Sequence, residues 1–120
     1  MHRPIAFVVI TTALAAVACG SSVPPPRQAM ADVQAADRAA AELGAASVPN
    51  ADLHLQLARE QARKANELMR DGENARAAEL LARARADAEL ALALTQEARA
   101  RAELQQVASQ NGGAAGGGVR

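Results

Sequence analysis

Aromatic side chains are almost missing from this 120-residue chain: Phe7 is the only one, with no tyrosine and no tryptophan. Beyond Phe7, no ring is available to anchor a large core or to stack on bases or sugars. Cysteine occurs once, at Cys19, so no internal disulfide can form. An excess of one charge is missing too. Thirteen Lys and Arg balance thirteen Asp and Glu, which leaves no electrostatic footprint for nucleic acid or an anionic surface. No glycine-rich phosphate loop is present, because the glycines at 112–118 precede no helix. What remains is alanine, leucine, glutamine and charge, a composition that favours helix everywhere outside a few breakers.

The N-terminus has the three-part build of an export signal. Met1-His2-Arg3 is a short positive start, and Ile5 to Ala15 forms an apolar middle. That middle is too short for a membrane span, which needs about 20 residues. Small residues Ala15-Ala16-Val17-Ala18 then lead into Cys19-Gly20. This arrangement resembles a bacterial lipobox, which implies lipidation of the Cys19 sulfur and cleavage between Ala18 and Cys19. A mature lipoprotein carries two or three acyl chains, palmitate among them. One chain holds a protein weakly and two hold it firmly, at about 0.8 kcal/mol per buried methylene. Gly20 in place of Asp resembles the outer-membrane sorting signal of enteric bacteria. The expected location is therefore the outer membrane, facing the periplasm, with inner-membrane retention as the alternative.

The expected organisation follows the breakers. Residues 1–18 read as the signal and 19–26 as the lipidated cysteine with a proline-rich spacer. Residues 27–109 read as a helical domain, and 110–120 as a Gly-rich tail expected to be disordered. Within the domain, Ala29, Val33, Ala36, Ala40 and Leu43 share one stripe of a first helix that stops at Gly44. Asn50 is the expected cap of a second helix ending near Arg70, with Leu55, Ala58, Ala62, Ala65 and Met69 inward and Leu68 beside them. Asp71-Gly72 breaks the pattern, and Asp71 or Asn74 can cap a third helix from about Glu73 to Ser109.

The third helix has the longest seam: Ala77, Leu81, Ala84, Ala88 and Ala91, continuing through Thr95, Ala98 and Ala102. Sustained steps of four and three are a heptad signature, and alanine lets helices approach closely. The expected fold is all-α: an antiparallel hairpin or three-helix bundle with a long C-terminal helix and alanine-rich, coiled-coil-like packing. At 1.5 Å per residue the second and third helices span about 30 and about 54 Å. The third therefore outruns the second around Leu94 to Leu104, pointing away from the lipid end. Ala84, Ala88, Ala91, Leu94, Ala98 and Ala102 form the expected interaction seam. Five pairs at helical spacing line the outer faces: Glu79–Arg83, Arg83–Asp87, Arg85–Glu89, Glu97–Arg101 and Arg99–Glu103.

The lipobox, the proline spacer, the Pro-containing loop and the helix pair joined at Asp71-Gly72, with Ala77-Ala78, Leu80-Leu81 and Ala84 after it, resemble the bacterial domain-of-unknown-function family 4398 (DUF4398). These are small alanine-rich envelope lipoproteins, and the resemblance covers Ser21 to Val107. It implies no catalytic residue to carry over. The Gly72 turn with Ala77, Leu81 and Ala84 also looks like a tetratricopeptide hairpin, without that repeat's bulky aromatic positions.

Chemistry finds little purchase on these residues. His54 is the only histidine after residue 18 and has no second ligand at metal spacing. Met30 and Met69 read as gap fillers. No catalytic, cofactor-binding or metal-binding residue is expected, and the chain reads as a non-enzyme without cofactors. The expected partners are a membrane, reached through the anchor, and a second copy or another envelope protein; nucleic acid is not among them. The expected role is a structural or interaction module of the cell envelope, with a TPR-like adaptor for a peptide or helical partner as the alternative. The chain ends Gly118-Val119-Arg120, and a guanidinium is a poor nucleophile. A covalent tether to peptidoglycan, as in murein-type lipoproteins ending in lysine, is therefore not expected.

Overall fold

The computed structural model describes residues 22–115, which form three α-helices and one short turn of 3₁₀ helix with no strand among them. The order is α1 (Arg27–Glu42), a 3₁₀ turn (Ala45–Ser47), α2 (Pro49–Arg70) and α3 (Asn74–Ala115). The signal segment, Cys19 and Gly20-Ser21 of the spacer lie outside the described residues, as do residues 116–120.

Local chemistry sets each boundary. Pro26, at φ −79° and ψ 60°, closes an inverse γ-turn in which the Arg27 N–H donates to the Pro25 carbonyl at 2.8 Å. That turn aims the spacer into α1. Leu43 follows the last helical residue, and Gly44 then takes φ +88°, a conformation that costs a residue with a Cβ about 1–2 kcal/mol.

Asn50 does not cap α2, contrary to the sequence expectation; it lies inside the first turn. Val48 is the extended residue before the helix, and Pro49 is its first residue. Proline lacks an N–H that would need a cap, and its fixed φ suits that position, so the helix starts two residues early.

The α2–α3 turn is a Schellman motif. The Glu73 N–H donates to the Leu68 carbonyl at 2.8 Å, and the Gly72 N–H to the Met69 carbonyl at 3.2 Å, with Gly72 at φ +78°. Asp71 ends α2, so its side chain does not cap α3. Nor does Asn74, whose Nδ2 donates instead to the Val23 carbonyl at 2.7 Å. That bond ties the spacer to the base of α3 and places the N-terminal segment beside the Asp71-Gly72 turn.

The three helices run up, down and up, with their shared interior built mostly from alanine. Nine of the thirteen buried apolar residues described are alanine, the others being Val33, Leu55, Leu68 and Leu81. One cluster joins Val33, Ala65, Leu68, Ala77, Leu81 and Ala84 near the Gly72 turn. The other joins Ala40, Ala45, Ala51, Leu55 and Ala91 at the opposite end. Leu68 is buried where Met69 was expected and Met69 is half-buried, because the first turns of α3 fold back over Leu68 with Arg76 and Leu80 beside it.

Two ion pairs hold α1 in place. Arg59 grips Asp37 with Nε at 2.6 Å and Nη2 at 3.3 Å, joining α1 to α2. Arg85 Nη1 reaches Asp32 at 3.3 Å, joining α1 to α3. Such exposed pairs are worth about 0–1 kcal/mol each.

α3 continues six residues past Ser109, where the sequence placed its end, through Asn111 and two glycines to Ala115. Helical glycine costs about 1 kcal/mol relative to alanine, and the alanines beyond carry the helix on.

Candidate functional site

Six residues were expected to form one interaction seam on α3, and the fold divides them. Ala84, Ala88 and Ala91 are buried at 0 % exposure inside the chain's own bundle. With α1 and α2 already against them, they cannot meet a partner. Leu94 is half-buried and packs on the Ala40–Leu55 cluster, so it belongs to the bundle edge and not to the overhang. Ala98 is half-buried, and Ala102 is exposed. Coverage of α3 by the rest of the chain ends at Ala98, and every side chain from Arg99 to Gly113 is exposed. The free reach of α3 from Arg99 to Ala115 is about 25 Å long at 1.5 Å per residue.

The exposed reach carries apolar surface. Leu104 is 70 % exposed and Val107 53 %, and Leu90, Leu57 and Leu53 are exposed on the bundle itself. A soluble three-helix unit does not need to leave five large apolar side chains in water, although single ones are ordinary. Leu43, Gln96, Arg99, Ala100 and Glu103 frame a shallow, open cleft where the bundle gives way to the free helix.

A polar cluster lies on the seam between α2 and α3. His54 Nδ1 is 2.8 Å from Asp87 Oδ1, and Gln61 Nε2 donates to Asp87 Oδ2 at 2.7 Å. His54 and Gln61 sit two turns apart on α2, so one carboxylate of α3 clips both. From the sequence, Asp87 was assigned to Arg83 as an outer-face pair. The tertiary fold gives it to His54 instead, which therefore does have a positioned carboxylate. Their spacing of thirty-three residues carries no local signal; only the antiparallel register of two helices brings them together.

The cluster pairs an imidazole with a positioned carboxylate, the ingredients of an oriented base. Both hydroxyls of α3 bond their own backbone: Thr95 Oγ1 donates to the Ala91 carbonyl at 2.7 Å, and Ser109 Oγ to the Gln106 carbonyl at 2.8 Å. Among the described residues, no group of three or more His, Cys, Asp or Glu side chains is placed to hold a metal ion. The other clefts are shallow, one floored by Val33 and Ala62 between α1 and α2, another by Leu68 and Leu80.

Of the five expected pairs on α3, Arg85–Glu89 and Glu97–Arg101 form. Donation of a hydrogen bond to Glu89, with the charge of Glu89 and then Asp32 behind it, raises the Arg85 guanidinium above its usual titration range. Asp37 does the same for Arg59, chiefly through its hydrogen bond.

No described helix is long and apolar enough to cross a membrane. Compared with known proteins, the chain matches no family model, no curated protein and no solved structure.

Proposed function

We propose that this protein is a lipid-anchored module of the bacterial cell envelope, held in the outer membrane through Cys19 and acting by contact instead of catalysis. The observation that carries the reading is polarity along the molecule. The N-terminal segment is fastened to one end by the Asn74–Val23 hydrogen bond, and the uncovered reach of α3 leaves from the other. A rod fixed at its base offers its free end to other chains. The lipobox-like run Ala15-Ala16-Val17-Ala18-Cys19 supports the anchor, and the resemblance to DUF4398 is in keeping with it. The non-catalytic reading is supported by the hydroxyls of α3, which bond to their own backbone, and by clefts that remain shallow.

Two acyl chains on one cysteine hold a protein firmly on a bilayer, so the test is direct. The native protein is expected in the membrane pellet after a high-salt wash, released by detergent, with an acylated N-terminal cysteine by mass spectrometry. The Cys19→Ser variant is expected in the soluble fraction or retained with its signal uncut. An unmodified Cys19 thiol in native material would sink the proposal.

A further inference from the structure

We infer that a second copy of this chain docks antiparallel along α3, in one register that its charges select. The inference deepens the contact role proposed above by naming the partner, and it stands whether or not Cys19 is acylated.

The surface concerned is a second stripe on α3. Leu90, Leu94, Glu97, Arg101, Leu104 and Ala108 recur at steps of four and three, each one residue before a position of the buried alanine seam and its continuation. One residue is about 100° around an α-helix, so this stripe faces sideways from the core. Asp87 begins it, and the bonds from His54 and Gln61 to Asp87 place α2 alongside. Leu57 lies one turn from both His54 and Gln61, and Leu90 one turn beyond Asp87. The exposed leucines of α2 and α3 therefore line the same face. Farther along α3, the stripe runs onto the uncovered reach.

In an antiparallel helix pair, the two alternating positions of a heptad stripe meet each other across the interface. With a two-fold axis level with residue 99, Glu97 faces Arg101 of the second copy, and by symmetry Arg101 faces its Glu97. Leu94 faces Leu104 on both sides of that centre, and Leu90 faces Ala108. Ala98 and Ala100 meet their own counterparts beside the axis, where small side chains let the helices close. Arg101 is already bonded to Glu97 within its helix, so association would close a ring of four alternating charges.

Neighbouring registers fail. Sliding by one heptad sets Leu94 against Glu97 in one direction and against Asn111 in the other. Sliding by two recovers Leu94 against Leu90, but sets Arg83 against Arg101 and Asp87 against Glu97. A parallel pair puts every charge on its own kind. Like charges across an interface exclude a partner effectively.

The contact has a size. The overlap runs from Arg83 to Ala115 on each copy, about 50 Å at 1.5 Å per residue, with a helix diameter of about 10 Å. That is roughly 1,000 Å² summed over both copies, the lower bound for a specific interface. The N-terminal segments leave such a pair at opposite poles, about 75 Å apart along the axis, so a pair with both anchors in one bilayer lies along its surface.

The test is a charge exchange followed by sedimentation equilibrium of the full chain in density-matched detergent. Glu97 and Arg101 side chains are 53 % and 73 % exposed, so neither substitution disturbs the bundle, and an unchanged helical circular dichroism signal verifies this. Wild type is expected to dimerise. Glu97→Arg alone and Arg101→Glu alone are each expected to weaken association about tenfold or more, since each sets like charges face to face. An equimolar mixture of the two variants is expected to associate again, as is the double variant, because both arrangements restore opposite charges. A monomeric wild type, four equally associated proteins, or single-variant losses that mixing does not restore would each overturn the inference. Association through residues 1–19 would appear as the equally associated result. Mass spectrometry of the same samples reports Cys19 acylation separately, so loss of the anchor and loss of pairing are read independently.

Discussion

Leu81→Ala is the substitution that most directly probes an alanine-built core. Leu81 is fully buried, at 0 % exposure, among Val33, Ala65, Leu68, Ala77 and Ala84. Truncation removes three carbons, about 2.4 kcal/mol of transfer free energy at ~0.8 kcal/mol per methylene. A cavity term adds to this, because Val33 and the alanines beside the site have no long side chain that could swing into the space, and Met30, Met69 and Leu80, packed against the cluster, fill it only in part. The expected loss is about 3–4 kcal/mol, in the middle of the range for buried leucine truncation. The described 94 residues would have a total stability of about 5–14 kcal/mol at typical per-residue values. One side chain then carries a quarter to most of it. In thermal melts followed by circular dichroism, the midpoint is expected to fall by roughly 15–25 °C for a domain of this size. Leu57→Ala, at an exposed position on α2, is the matched control, with an expected change within about 0.5 kcal/mol. If Leu81→Ala cost less than about 1 kcal/mol, no better than Leu57→Ala, the interior could not be the close-packed unit described.

Two further outcomes follow from the geometry. Gly72→Ala places a Cβ in open space but at φ +78°, so its cost is backbone strain alone, about 1–2 kcal/mol, measurable by urea unfolding with an unchanged m-value. Asp37→Asn removes the carboxylate that raises the Arg59 guanidinium. A group raised in the folded state contributes its stability throughout the range below its unfolded titration and loses it only at higher pH. The loss, at most about 1 kcal/mol for an exposed pair, is therefore expected to be the same in melts at pH 7 and at pH 10, and a loss that shrinks by pH 10 would contradict the assignment.

The helices and their turns were legible because they are local. Steps of four and three on alanine and leucine define an inner stripe, and Ala77, Leu81, Ala84, Ala88, Ala91 and Thr95 are all buried along it. Gly44 and Gly72 mark the two chain reversals because both need positive φ. Signals that compete at one position were read less well. Asn50 is a better capping side chain than Val48, yet Pro49 decides where α2 begins. Asn74 is a good cap in isolation, yet its side chain is taken by the Val23 carbonyl, fifty-one residues away in sequence.

The candidate site was half legible for a related reason. Periodicity identifies which α3 residues share a face, but not how far along that face the chain's own helices extend. Ala91 and Ala102 are equivalent in the pattern; one is sealed inside the bundle and the other stands in solvent. The outer stripe gives no such periodic signal, because its leucines alternate with charges that taken singly are solvated ion pairs.

Taken alone, the amino-acid order determined that this chain is helical, where it reverses, and which stripe of each helix is apolar, since hydrogen bonding within a helix and the φ preference of glycine depend only on near neighbours. Tertiary structure decided that Asp87 serves His54, that Asn74 holds the N-terminal segment, and that α3 emerges from cover after Ala98. Those outcomes depend on how far one helix slides along another, a distance set by the packing of whole faces and written in no short segment of the chain.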